Sequence, residues 1–355
     1  MSNLLSPNDE QGLSSGYHSP QVDVDVRLNT NESPYPPPRA FVHALATELA
    51  DVAFNRYPDR DARELRAALG RLHGVGPEQV FVANGSNEVL QTLLLTYGGP
   101  GRRAAVFEPT YALHSHLSRL TRTGVWVGDR QPDFHLDLGE VKRAAAEADP
   151  AITFVCSPNN PTGGAEPRAV VEEVLDLAPG LVVVDEAYGQ FAPWSALELV
   201  SNDVGLVVVR TYSKTWSMAA TRLGYLVGPA AVITELEHRV LPYHLDAVKQ
   251  AAGRLALRFT TEMEARVAAV KDERSRVHDG LEKLAVETWP SDANFLLFRP
   301  TTRKGREVWA ALVERSVLVR DVGDWPRLSG CLRVTVGTPA ENDAFLGALS
   351  EVLDR

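Results

Sequence analysis

Cysteine is scarce in this chain of 355 residues: Cys156 and Cys331 are the only two. Two cysteines build neither a disulfide framework nor a zinc site. Both read as buried thiols in a reducing compartment. A basic surplus is missing too. The chain has 36 Lys and Arg against 46 Asp and Glu, a formal net charge of -10. With no run of positive charge, that balance argues against a nucleic-acid partner. No apolar stretch approaches the length of a membrane span. Residues 1–11 have no positive cluster and no apolar centre, so they do not read as a signal peptide. Gly98-Gly99-Pro100-Gly101 has neither nucleotide-loop spacing and reads as a turn. The expected address is the cytoplasm.

The length suits about two domains and a large apolar core. Residues 1–26 read as a polar arm, with Tyr17 placed to lie across a site or a partner. Pro34, Pro36, Pro37 and Pro38 then force an extended path. Helices are expected over 39–53, with Phe41, Leu45, Leu49 and Val52 on one face, and over 62–73. Apolar runs follow at 79–83, 104–107, 124–127, 152–155, 181–184, 205–209 and 223–227. They are short, continuous and β-branched, as strands buried on both faces of a mostly parallel sheet are. With helical stretches between them, the class is α/β, doubly wound. After Pro242 the texture changes. Long helices are expected over 243–259 and 262–284, short strands at 294–298, 317–320 and 332–336, and a last helix from 340. We therefore expect an arm over 1–26, a large domain over 27–240 and a smaller α+β domain over 241–355.

In a parallel sheet the carboxyl ends of the strands share one edge, where ligands bind. Gly85-Ser86-Asn87, Tyr111, Asn160, Asp185, Tyr188, Thr211, Ser213 and Lys214 all follow apolar runs. Ser86 or Asn87 is a natural N-cap, and Gly85 lets an anion approach the free amides of a helix start. This set suits pyridoxal phosphate. That cofactor needs a lysine to bond its aldehyde, a carboxylate to keep its pyridine nitrogen protonated, donors for its ring oxygen and a cradle for its phosphate. Lys214, Asp185, Asn160 with Tyr188, and Gly85-Ser86 with Arg222 supply these in turn. Burial beside a cationic arginine would lower the pKa of Lys214 and free its amine to attack. No metal is expected: His114 and His116 have no third ligand nearby, and Asp185-Glu186 beside such a lysine suits the cofactor better.

Six motifs carry a resemblance: Leu28-Asn29-Thr30-Asn31-Glu32-Ser33-Pro34, Arg56-Tyr57-Pro58-Asp59, Ser157-Pro158-Asn159-Asn160-Pro161-Thr162-Gly163, Asp185-Glu186-Ala187-Tyr188, Thr211-Tyr212-Ser213-Lys214 with Arg222, and Leu332-Arg333-Val334-Thr335-Val336-Gly337. From about residue 27 onward the chain resembles fold-type I pyridoxal-phosphate aminotransferases, and among them the histidinol-phosphate aminotransferase family. The resemblance implies that Lys214 carries the cofactor and moves the substrate's proton, and that Asp185 pairs with the pyridine nitrogen. Asn160 and Tyr188 would bond the ring oxygen and Tyr111 would stack on the ring. Gly85, Ser86, Asn87, Thr211, Ser213 and Arg222 would hold the cofactor at its phosphate end. Tyr57 would reach the phosphate of a neighbouring subunit, which implies a homodimer. Arg333 would grip the carboxylate of glutamate and the phosphate of histidinol phosphate, anions that a planar bidentate donor fits. Arg320, Tyr17, Tyr243 and Asn31 are further substrate-side candidates.

The implied reaction passes the amino group of histidinol phosphate to 2-oxoglutarate, a step of histidine biosynthesis. The rivals are an aromatic (phenylalanine) aminotransferase, an amino-acid-phosphate decarboxylase, and a non-catalytic regulator that keeps the fold as a sensor. A regulator would usually add a basic helix-turn-helix, which this sequence lacks. Trp216 and Thr221 depart from the small residues, glycine among them, that the family places between the lysine and the arginine.

Overall fold

The computed structural model describes residues 21–354. Tyr17 and most of the expected arm lie outside the described residues. In chain order the elements are β1 (Val26–Leu28), α1 (Arg39–Ala50), α2 (Arg63–His73), β2 (Val80–Ala83), α3 (Ser86–Tyr97), β3 (Arg103–Glu108), α4 (Leu113–Leu120) and β4 (Gly124–Asp129). Then come α5 (Leu138–Ala148), β5 (Ile152–Cys156), α6 (Arg168–Leu177), β6 (Leu181–Asp185), β7 (Leu206–Thr211), β8 (Gly224–Val227), α7 (Ala230–Glu237) and α8 (Ala247–Ala256). The rest are α9 (Thr260–Leu281), β9 (Val286–Thr288), β10 (Phe295–Pro300), α10 (Gly305–Val313), β11 (Val317–Asp321), β12 (Leu332–Thr335) and α11 (Pro339–Leu353).

Seven strands form the larger sheet in the order β2-β8-β7-β6-β5-β3-β4. Its centre is buried on both faces because apolar side chains alternate between two cores. Val183, Val207 and Val209 meet Leu90 and Leu93 of α3 on one face. Val182, Val184, Leu206 and Val208 meet Val171 and Val174 of α6 on the other. The sheet is parallel except for β8, which runs antiparallel to both β7 and β2. The carboxyl ends of β2, β3, β5, β6 and β7 therefore share one edge. The reversed β8 begins at that edge, which is how Arg222, just before it, joins the same rim.

The smaller sheet has the order β1-β11-β12-β10-β9. Its core packs Leu296, Phe298, Val319, Leu332 and Val334 against Val277 and Leu281 of α9 and Phe345 and Leu349 of α11. Three features differ from the sequence expectation. β1, at the expected border between arm and large domain, pairs in parallel with β11. Three residues without alternation carry no strand signal, so only tertiary pairing reveals it. Residues 243–246 are not helical: Tyr243 takes φ 57, and Asp246 caps α8 by accepting from Lys249 N at 2.8 Å. α8 then packs on α1 and α2, so its apolar face belongs to the core of the larger sheet, with Leu65, Tyr212 and Tyr225. α1 stops at Ala50 and buries only Phe41 of its expected face.

Candidate active site

β6 and β7 run just past their apolar runs, to Asp185 and Thr211, and from there polar side chains close a cavity of about 360 Å³ at the shared edge. That is within the range of small-molecule sites. Ser86, Asn87, Tyr111, Asn160, Asp185, Tyr188, Thr211, Ser213, Lys214 and Arg222 line it, as do Asn31 and Arg333. Residues from five strand ends of one sheet and from a second sheet thus meet in one place.

Lys214 sits two residues beyond Tyr212, with Nζ donating to the Thr30 carbonyl at 3.1 Å and lying 5.8 Å from the centre of the Tyr188 ring. Burial pushes its pKa down to about 7, and the positive charges of Arg333 and Arg222 push the same way against Glu32. A buried ammonium loses hydration it cannot replace, so the neutral amine is favoured. Asp185, 2% exposed, accepts from Ala187 N at 3.1 Å and lies 3.1 Å from His114 Nε2. Its neighbour Glu186 turns the other way. Glu186 pairs with Arg210 at 2.5 Å and accepts from Ser195 Oγ and Ala196 N. The adjacent carboxylates therefore face different surroundings and do not make a metal pair.

Tyr188 is buried, and its hydroxyl accepts from Asn31 Nδ2 at 2.9 Å; burial raises its pKa. Asn31 is locked by Thr335, which accepts its N–H and donates to its side-chain oxygen, both at 3.0 Å. Arg333 is 4% exposed. It donates to Asn160 Oδ1 at 2.5 Å and to the Asn29 carbonyl at 2.9 Å. Its guanidinium lies 5.1 Å from the centre of the Phe295 ring.

The cavity wall continues to the start of α3, where Ser86 and Asn87 line it. The N-cap is Gly85, not Ser86 or Asn87, and it makes no side-chain cap. Glu88 turns back instead, accepting from Asn84 N and Nδ2 at 2.5 and 2.7 Å. Gly85 has φ +85, and a Cβ there would come 3.1 Å from Arg222 Nη2. At Gly224 a Cβ would lie 2.3 Å from Ser86 N. Both glycines let the first-turn amides, Arg222 and β8 approach one another. Ser213 Oγ accepts from Thr211 Oγ1 at 3.0 Å and from Arg222 Nη1 at 3.4 Å. A helix start, two hydroxyls and a guanidinium are donors of the kind an anion needs. With a buried carboxylate and a low-pKa lysine beyond them, the donor set fits pyridoxal phosphate.

Some expected residues lie elsewhere in the described chain. Tyr57 is 79% exposed and stacks on Tyr243 with ring centres 4.4 Å apart and planes at 14°; neither lines the cavity. Arg320 is buried opposite Arg333 on the neighbouring strand and does not line it either. Trp216 and Thr221 are also outside. Trp216 packs on Tyr212 with ring centres 5.7 Å apart, and Ala219 and Ala220 face the cavity instead.

Sequence reasoning missed three contributions. His114 is fully buried, stacked on Phe154 at 4.6 Å and bonded to Asp185; its one signal was its place three residues after Tyr111. Thr30 serves through its carbonyl, which leaves no trace in residue type. Cys156 lines the cavity, and burial, then the charge of Asp185, drives its thiol up to about 12.

The family model "Aminotransferase class I and II" matches residues 23–349. The histidinol-phosphate aminotransferase of Corynebacterium diphtheriae is 46% identical over 360 aligned residues, covering 99% of this chain and 97% of that one. The protein of the same name from Frankia casuarinae is 47% identical, covering 97% and 89%. The crystal structure of histidinol-phosphate aminotransferase from Sinorhizobium meliloti, in complex with pyridoxal-5'-phosphate, superposes with a TM-score of 0.89 over 99% of each chain at 20% identity. Fold, cavity and sequence agree: the chain belongs to the class I and II aminotransferases.

Proposed function

We propose that this aminotransferase exchanges the amino group of histidinol phosphate with 2-oxoglutarate, giving glutamate. The observation that carries the reading is the buried Arg333, bonded to Asn160 at the cavity that contains Lys214. The full-length likeness to enzymes named for histidinol phosphate supports the choice of donor.

The cofactor is pyridoxal phosphate, which supplies an electron sink for the substrate's alpha carbon and a carrier for its nitrogen. The residues do the rest. Lys214 Nζ, whose pKa burial lowers to about 7, would hold the cofactor and supply a base for the substrate's alpha proton. Asp185, fixed by His114, would hold the pyridine nitrogen in its protonated form. Asn160 and Tyr188 would hold the ring oxygen, and Tyr111 would pack on the ring. The backbone at Gly85-Ser86, the hydroxyls of Thr211 and Ser213 and the guanidinium of Arg222 would hold the phosphate, with Asn87 holding Tyr111 beside them. Arg333 takes the carboxylate of glutamate or the phosphate of the donor, with Asn31 shaping that wall. Exposed Tyr57 and Tyr243 suit an active homodimer in which they serve the neighbouring subunit. The two free, buried thiols suit the cytoplasm.

A single-turnover absorbance experiment tests this. Cofactor-loaded protein is mixed separately with histidinol phosphate, phenylalanine and glutamate. Fast conversion of the bound cofactor to its amine form by histidinol phosphate and glutamate, and slow conversion by phenylalanine, is the expected result. The reverse order for the two donors moves the assignment to aromatic substrates. Carbon dioxide release without a keto acid moves it to decarboxylation.

A further inference from the structure

The loop that presents Asn160 is held from outside the cavity by a buried ion pair. Arg130 is 3% exposed and Glu166 1%; they are joined side chain to side chain, and neither lines the cavity. Arg130 Nε donates to the Phe107 carbonyl at 3.2 Å, and Nη2 to that of Cys156 at 3.4 Å. It thus spans the ends of β3 and β5. Glu166 closes the far stem of the loop: its N–H donates to Ser157 Oγ at 2.9 Å, and its carbonyl accepts from Trp194 Nε1 at 2.9 Å. Between the stems, Asn159 pins the tip through Pro109, Thr110 and Thr162.

The same loop is gripped from the smaller sheet's side. Asp292 donates its N–H to the Gly163 carbonyl at 2.8 Å and accepts from Ala165 N at 3.2 Å. Arg327 donates to the carbonyl of Arg130. Phe134, whose carbonyl accepts from Arg130 Nη1 at 3.0 Å, packs against Trp289 at 5.4 Å, beside Leu297, Val322 and Leu328. The pair therefore stands where the two sheets meet, at the stems of the loop that carries Asn160.

We infer that Arg130 and Glu166 are positioning residues that set Asn160 for both the cofactor's ring oxygen and the guanidinium of Arg333. The inference rests on the role of Asn160 in the proposed function. A buried pair with every stem tied leaves the tip little freedom, and displacement of about 1 Å at a reacting group costs as much as a hundredfold.

The experiment compares Glu166→Gln, Asn160→Ala and the double variant. The readouts are the dissociation constant of pyridoxal phosphate from the cofactor-free protein, and the pH titration of the bound cofactor's absorbance. Each single variant is expected to weaken cofactor binding by about tenfold or more and to shift the titration. The double variant is expected to be no worse than the poorer single one, because both act on one contact. Three outcomes overturn the inference: additive losses, a native titration in a folded Glu166→Gln protein, or lower thermal stability alone. If Asn160→Ala itself leaves both readouts native, the reading of Asn160 fails and the inference with it. If only Glu166→Gln is native, the inference alone fails. Should Glu166→Gln not fold, Arg130→Lys keeps a charge opposite Glu166 while removing the guanidinium's span between Phe107 and Cys156, and the same outcomes apply.

Discussion

The two sheets furnish the cavity in different ways. The seven-stranded sheet contributes from beyond its strand ends, where Asp185 closes β6 and Ser213 and Lys214 follow β7. The five-stranded sheet contributes from within a strand. In β12, Leu332 and Val334 enter the apolar core, while Arg333 and Thr335 point to the opposite face and are 4% exposed each. Strand ends release the backbone from ladder pairing, so loops there can bend side chains around a ligand. A mid-strand arginine is fixed by the pleat and moves only with its sheet. In the proposed function the larger sheet would hold the cofactor, and the smaller one would deliver a rigid cation to the substrate.

The largest test of that division is Lys214→Ala, which should abolish turnover and the protein-bonded cofactor band. Steady-state activity near the native level would remove the strand-end lysine from the chemistry. Arg333→Ala should come next, lowering kcat/KM for both glutamate and histidinol phosphate. Truncating one side of a buried charged contact costs about 2–5 kcal/mol, roughly 30-fold to several thousandfold. Unchanged kinetics with both substrates would reduce the smaller sheet to packing. Tyr57→Phe should weaken cofactor retention by about tenfold or more, the value of one hydrogen bond to a charged group; equal retention would take Tyr57 out of the phosphate site.

A smaller effect is a slope with pH in the cofactor-free protein. Between about 7 and the ordinary 10.5 of lysine, the unfolded chain holds a proton that folded Lys214 has lost. Stability should therefore rise with pH across that window, since the unfolded state binds more protons there. The cost of burying the charged amine is fully present below about 7. Melting temperatures from pH 6.5 to 9.5 should climb more steeply for the native protein than for Lys214→Met, and parallel curves would contradict the lowered pKa. Least of all, Trp216→Phe should change kcat/KM by less than about twofold, because Trp216 does not line the cavity and an aromatic replacement keeps most of its contact with Tyr212. A tenfold change in preference between histidinol phosphate and phenylalanine would bring Trp216 back into substrate selection.

Much of this site was legible because it follows strand ends. Apolar runs ending in Asp185 or Thr211 mark both the strand and the edge it reaches, and a mostly parallel sheet does the gathering. Arg333 could be named only through the family resemblance. Contributions that depend on pairing were not legible. β1 is too short to show a period, and the capping carboxylate of Glu88 competes with two better-known capping residues. His114 looks like any helical histidine until the fold turns it onto Asp185. The start of α8 was misplaced because Tyr243 adopts a left-handed backbone that residue type does not announce.

β1 has a consequence for synthesis of the chain. Asp25 and Ser316, which meet where β1 joins β11, are 291 residues apart in sequence. On the ribosome the early strand must wait, unpaired, while the whole seven-stranded sheet is made. Closing so long a loop adds little to its entropic cost, which grows only with the logarithm of length, but it makes the pairing late. A nascent chain stopped before β11 would keep a bare strand next to Asn29, Thr30 and Asn31, the residues that fix Arg333, Lys214 and Tyr188. The cavity is therefore completed only when the last third of the polypeptide reaches back to the first thirty residues.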